Sequence, residues 1–362
     1  MPRPIKAIIH MASLRHNLAA MRKLAAGRTL WAVVKANAYG HGLERAVRAF
    51  TQADGLAMID ISDIEKARSY GWTKRILLLQ GFFRKEDLAI IEHFDAEAVV
   101  HNEEGIRLLE QCAPFGELKI HIKINSGMNR FGFRPKEEAT VRRRLEAIRG
   151  VTVMGIVTHF ANACPDFDYG GPVSVKEQME QLGPLAKRKN GACFANSAAT
   201  IWLPEVGGDA VRVGISLYGI SPEPAISSQT LGIKPAMTLS SEILAIQTIS
   251  PGESVGYCSR FTANRPSRIG VVACGFADGY LRSMPQGSPV YVEGKMAPIV
   301  GNIAMDVMMV DLTDIDEAHV GSAVELWGRH VAVTDLATRA GTIAAELLCA
   351  IAPRVPFEED NS

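Results

Sequence analysis

Eight short apolar runs recur through the first two-thirds of the chain. They are LWAVVK (30–35), LAMID (56–60), ILLLQ (76–80), EAVVH (97–101), IHIKIN (120–125), VMGIVTHF (153–160), ACFANS (192–197) and AVRVGI (210–215). Most of the segments between them are charged and amphipathic, such as LERAVRAFTQ and NEEGIRLLEQ. A strand that is apolar on both faces must be covered on both faces, and a helix between successive strands makes them parallel. Eight such units predict an α/β fold with an N-terminal (β/α)8 TIM barrel over residues 1–234. A doubly wound parallel sheet is the alternative, because periodicity does not register closure.

After Pro235 the pattern changes to strands and turns: TLSSEILAIQTI, RIGVVACG, SPVYVEG, APIVGNIAMDVMMVDL, AVELWG and VAVTD. Only residues 336–351 read as helical. A second, mostly-β domain over 235–362 follows.

The bulk numbers exclude several classes. A chain of 362 residues suits two domains, and 47% hydrophobic content fills a large core. Lys+Arg and Asp+Glu are both 39, so there is no basic footprint for a nucleic acid. Cys112, Cys164, Cys193, Cys258, Cys274 and Cys349 are scattered without a C-x-x-C, which reads as reduced thiols in a cytoplasmic protein. The opening MPRPIKAIIHMASLRHN has too short an apolar run for a signal peptide, and no stretch has the ~18 apolar residues of a membrane span. There is no HExxH, P-loop or GxSxG, and no EF-hand spacing, so no metal is expected.

In a barrel the strand C-termini form the active face. The polar residues at or just past the expected strand ends are Lys35, Tyr39, Arg130, His159, Asn196, Ser197 and Arg212. Each has an ordinary structural explanation, such as a satisfied core histidine, an ion pair or packing. Lys35 suits a Schiff-base lysine, because an amine in an apolar site loses solvation of its charged form. It reads equally well as a surface charge. GISLYG (214–219) offers backbone N–H groups beside glycine that can cradle a phosphate. In the second domain, SVGYCSRFTA puts Tyr257 in a loop, and GNIAMD is ambiguous alone.

AVVKANAYGHG (32–42) resembles the pyridoxal-phosphate attachment signature of alanine racemases. The resemblance continues in order through KINSGMNRFG, VTHFA, ANSAA, VRVGISLYG, VGYCSRFTA, GFADGY, VGNIAMD and PRVP. It implies a pyridoxal 5'-phosphate enzyme with an N-terminal barrel and a C-terminal β domain. It also implies a homodimer whose sites combine one subunit's barrel with the other's β domain.

Residue by residue, the resemblance implies that Lys35 holds the cofactor and is one of two bases, with Tyr257 from the partner as the other. Arg212 would face the pyridine nitrogen. Tyr39, Ser197, Gly214 and Ile215 would hold the phosphate, with Asn196 and His159 also on the cofactor side. Arg130 and Met305 would bind substrate, and Lys123 matches a position carbamylated in some members. Two bases make chemical sense, since racemisation removes a proton from one face of Cα and delivers one to the other. Free lysine and tyrosine titrate near about 10.4 and 10, so both need lowering. Desolvation helps Lys35 but hinders Tyr257, for which Arg130 and His159 are the cationic or hydrogen-bonding candidates.

Three positions depart from the pattern. Phe276 and Pro353 stand where many or some members have tyrosine, and Cys258 stands where GYG is commoner. The implied activity is interconversion of L- and D-alanine, for peptidoglycan or for D-alanine breakdown. A racemase of broader substrate range and a non-catalytic pyridoxal-phosphate homeostasis protein are the alternatives. The β domain carrying Tyr257 argues against the second.

Overall fold

The computed structural model describes residues 3–112, 116–164, 173–206 and 208–361. Strand β1 (Lys6–His10) stands apart from the barrel. The next eight strands are β2 (Thr29–Val33), β3 (Gly55–Met58), β4 (Arg75–Leu78), β5 (Glu97–Val100), β6 (Leu118–Lys123), β7 (Val151–Val157), β8 (Ala192–Ala195) and β9 (Ala210–Val213). They pair in parallel in chain order, and β9 closes on β2. Each coincides with one apolar run and stops one to three residues short of its end. Closure, which periodicity leaves open, is therefore settled in favour of the barrel.

Most barrel-strand residues are buried, as strands covered on both faces require. An ionic cluster lies inside the barrel towards the strands' N-terminal ends. Arg75 grips the Glu97 carboxylate at 2.5 and 2.8 Å, and the His121 ring meets the same carboxylate at 2.6 Å. Arg75 also lies over the Trp31 ring, 4.6 Å from its centroid. Gly55 makes room for that ring, since a Cβ there would fall 2.3 Å from Trp31.

The second unit comprises β10 (Met237–Ile249), β11 (Ser254–Val255), β12 (Phe261–Thr262), β13 (Ser267–Val272), β14 (Pro289–Val292), β15 (Lys295–Val300), β16 (Met308–Asp311), β17 (Ala323–Trp327) and β18 (Phe357–Asp360). Its sheet order is β13-β16-β15-β14-β17-β10-β1-β18, and a further β10–β13 pairing closes six antiparallel strands into a ring. The long β10 serves both edges by way of register shifts at Leu239/Ser240 and Ile243/Ala245.

The expected division at residue 235 differs from the observed one. The second compact unit takes the chain up to Leu14, Tyr39–His41 and everything from Tyr218 onward. β1 belongs to it, pairing antiparallel with β10 and parallel with β18. Those pairings join residues more than 200 positions apart, which no local pattern reveals.

Candidate active site

Lys35 follows β2 by two residues and opens the short turn Lys35–Tyr39. Ala36, Asn37, Ala38 and Tyr39 have φ of 53°, 51°, 56° and 52°. Four consecutive left-handed residues, none of them glycine, cost roughly 1–2 kcal/mol each. Such strain persists only where the surroundings over-determine it. Here Ala38 N–H donates to Val34 O, and Gly42 N–H donates to Asn37 O, both at 2.9 Å. The Asn37 Oδ1 accepts from Leu43 N–H at 2.9 Å, which ties the turn to the helix Leu43–Ala49.

At the C-terminal ends of the other strands, Lys123, His159 and Arg212 gather with Arg130. Burial, then the charges of Arg212, Lys123, Arg130 and Lys35, push the His159 ring well below its ordinary range, so it is neutral. Arg212 Nη2–H points at His159 Nδ1 from 3.3 Å. Nδ1 must then be the acceptor, and the ring carries its proton on Nε2. Lys123 is likewise driven well below the usual lysine range, by burial first and then by Arg212 and Arg130. The charges of Arg212, Lys123, Arg130 and Lys35 thus converge on the His159 ring.

Arg212 is 4% exposed. Its Nη1 donates to Cys193 O at 2.7 Å and to Cys193 Sγ at 3.0 Å. Its Nη2 donates to Thr158 O at 2.5 Å as well as to His159. The four terminal N–H groups are thus engaged, and among the described residues Nε–H has no partner.

Next to it, Gly214 N–H donates to Ser197 Oγ at 2.9 Å, which leaves the buried hydroxyl hydrogen to face an acceptor. Asn196 serves as scaffolding. Its Oδ1 caps the helix Ser197–Trp202 through Ala199 N–H, and its Nδ2 donates to Phe160 O. Ile215 opens the turn that follows Gly214.

In the second unit, Tyr39 stacks on Tyr218 with centroids 4.8 Å apart. Burial, aided by Cys349, pushes the Tyr39 hydroxyl up to about 12, so it stays a donor. Tyr257 sits at the tip of the β11–β12 hairpin and is 68% exposed. Asn302 Nδ2 donates to Tyr257 O at 2.8 Å and steadies that tip. Cys258 there has φ 62°, the region that glycine fills without strain. Met305 is 56% exposed and Phe276 38%. Phe276 and Ala277 N–H donate to Ala304 O and Met305 O, so the two loops are zipped together.

The alanine racemase N-terminal domain model matches residues 9–222, and the C-terminal domain model matches residues 236–358. The chain belongs to the alanine racemase family. An alanine racemase of Burkholderia mallei (strain ATCC 23344) is 45% identical over 99% of this chain and all of the relative. One from Janthinobacterium sp. (strain Marseille) is 45% identical across the whole of both. The crystal structure of biosynthetic alanine racemase from Pseudomonas aeruginosa superposes with a TM-score of 0.93 at 37% identity, covering 99% of each chain. The enzyme is an isomerase that interconverts L- and D-alanine.

In this racemase the barrel unit brings together Lys35, Lys123, Arg130, His159, Ser197, Arg212 and Gly214 along the strand ends. Of the two kinds of help expected for Tyr257, cationic or hydrogen-bonding, a neutral His159 offers the second. Thr158 and Cys193, which hold Arg212, carry no sequence signal of that role. Thr158 looks like ordinary strand filling and Cys193 like one more buried thiol.

Proposed function

We propose that the chain racemises alanine with pyridoxal 5'-phosphate bound at the barrel's strand ends, by a two-base mechanism shared between two subunits. The observation that carries this is the strained turn opened by Lys35, together with the convergence of the Lys35, Lys123, Arg130 and Arg212 charges on His159. Such a cluster fits an anionic guest, and the donors Ser197 Oγ–H and Tyr39 O–H fit its phosphate. Pyridoxal phosphate, when bound, would supply an electron sink that acidifies the substrate Cα–H.

The chain's own residues do the rest. Lys35 Nζ anchors the cofactor and moves a proton at one face of Cα. The partner subunit's Tyr257 moves a proton at the opposite face. Arg212, with Nε–H as its remaining donor, would face the ring nitrogen of the cofactor; as a donor itself it would leave that nitrogen unprotonated and so limit side reactions such as transamination. Ser197, Tyr39, Gly214 and Ile215 bind phosphate, with Asn196 setting the angle of Ser197. Arg130 and Met305 receive the substrate, and His159 donates through Nε2–H.

Lys123 is the position we assign to carbamylation. A neutral amine is the form that adds carbon dioxide and releases a proton, and the resulting anion would balance Arg130 and Arg212. Six free cysteines suit a reducing cytoplasm. The Pseudomonas aeruginosa neighbour is a biosynthetic alanine racemase, which supports a biosynthetic role, D-alanine supply, for this chain.

Borohydride treatment of the cofactor-loaded enzyme followed by peptide mapping tests the reading. The expected result is a reduced cofactor adduct on Lys35 alone, and no such adduct in Lys35→Ala. An adduct on a different lysine would refute the assignment.

A further inference from the structure

Arg212 is a buried guanidinium held by acceptors that bear no formal charge. Buried arginines ordinarily pair with carboxylates, because an unpaired buried charge is costly. Here the fork is filled by two backbone carbonyls, one imidazole nitrogen and one sulfur. The sulfur and one carbonyl both come from Cys193. The β8–β9 register explains how one residue supplies both: Cys193 pairs with Ala210, and the next partners are Ala195 and Val211. Phe194 is thus the extra residue of a bulge, and bulges re-aim side chains beside active sites. The same Cys193 carbonyl also accepts from Thr158 N–H at 3.2 Å, so β7, β8 and β9 are linked at this one peptide.

We propose that the Cys193 thiol is a positioning residue for Arg212: its sulfur takes the fourth terminal N–H and fixes the guanidinium plane without neutralising the charge. This rests on the reading of Arg212 as the group facing the cofactor ring nitrogen. With the fork fully engaged, Nε–H is the donor left for that nitrogen. A carboxylate at position 193 would fix the plane equally well but would cancel the charge. A thiol, kept protonated because burial pushes it up, provides the acceptor and no charge.

The test uses full-length, cofactor-loaded Cys193→Ala, Cys193→Ser and Arg212→Gln. Five quantities are read: kcat and KM in both directions, the visible absorption band across pH, cofactor affinity of the apoenzyme, and Tm. Cys193→Ala is expected to lower kcat about 10-fold, as loss of one hydrogen bond to a charged group implies, with KM nearly unchanged. Its visible band should shift, its cofactor affinity should fall, and its Tm should stay near the parent value. Cys193→Ser, which retains an acceptor, should restore the band, the affinity and most of kcat.

A Cys193→Ala protein indistinguishable from the parent would overturn the proposal. So would a Cys193→Ser protein as impaired as Cys193→Ala, since volume and not the acceptor would then matter. If Arg212→Gln keeps the parental band and kcat, the reading of Arg212 fails and the proposal with it. If Arg212→Gln is impaired while Cys193→Ala is not, the proposal alone fails.

Discussion

Asn37 shows how one side chain can set the turn that carries Lys35, the lysine proposed to hold the cofactor. It occupies the second position of the left-handed run and is one of the few residue types that tolerate that conformation. Its Oδ1 also takes the Leu43 N–H at the start of the next helix. Alanine at this position would keep the strained φ and lose the acceptor. We expect Asn37→Ala to destabilise the enzyme by about 1–2 kcal/mol, in line with loss of a side-chain cap. We also expect a lower kcat from a less ordered Lys35, and urea unfolding with steady-state kinetics checks both. Unchanged stability and kcat would show that the backbone alone holds the turn. None of this was legible in the sequence. The handedness of this turn depends on contacts with Val34, Gly42 and Leu43 that only the fold supplies.

At the scale of elements, the barrel has chemically distinct ends. At the strand C-termini the Arg212, Lys123, Arg130 and Lys35 charges converge on His159, whereas the cluster towards the other end pairs Arg75 and His121 with Glu97. Burial alone would raise the Glu97 carboxyl. Hydrogen bonds from His121 and Arg75 overcome that and hold it at about 2, against an ordinary 4.5. Because the folded-state value lies below the unfolded one, the unfolded chain binds the extra proton as the solution is acidified. The cluster's stabilisation is therefore complete above about pH 4.5 and is lost progressively towards pH 2. The shift corresponds to roughly 3 kcal/mol. Denaturant titrations between pH 5 and 2 should show that extra slope in the parent and not in Glu97→Gln, which should also be less stable at neutral pH. An identical slope in both proteins would show that the cluster carries no such linkage. The strands themselves were readable because burial on both faces writes continuous apolar runs. The cluster was not, since an Arg or Glu at a strand start looks like an ordinary boundary charge.

For the whole molecule, the sequence conveyed two architectures and the order of the motifs. Composition changes sharply where barrel gives way to β structure. It did not convey that β1 joins the later sheet, since that pairing depends on chain closure over long distances. Nor could the sequence show that Tyr257 rides on the tip of a two-stranded hairpin, 68% exposed. For a tyrosine proposed as a base, such exposure in one chain is the arrangement expected if a second chain completes the site.

The central claim is that one subunit's Lys35 works with the partner subunit's Tyr257. Coexpressing Lys35→Ala and Tyr257→Phe chains and assaying the mixed dimers tests it most directly. Neither variant alone should racemise alanine appreciably. Half of randomly assembled dimers would be mixed, and each mixed dimer would hold one site with both residues intact. Recovery to roughly a quarter of parental activity is the expected result, as two-fold symmetric sharing requires. Mixed dimers no more active than either variant alone would contradict it, because the two bases would then belong to the same chain or would not act together.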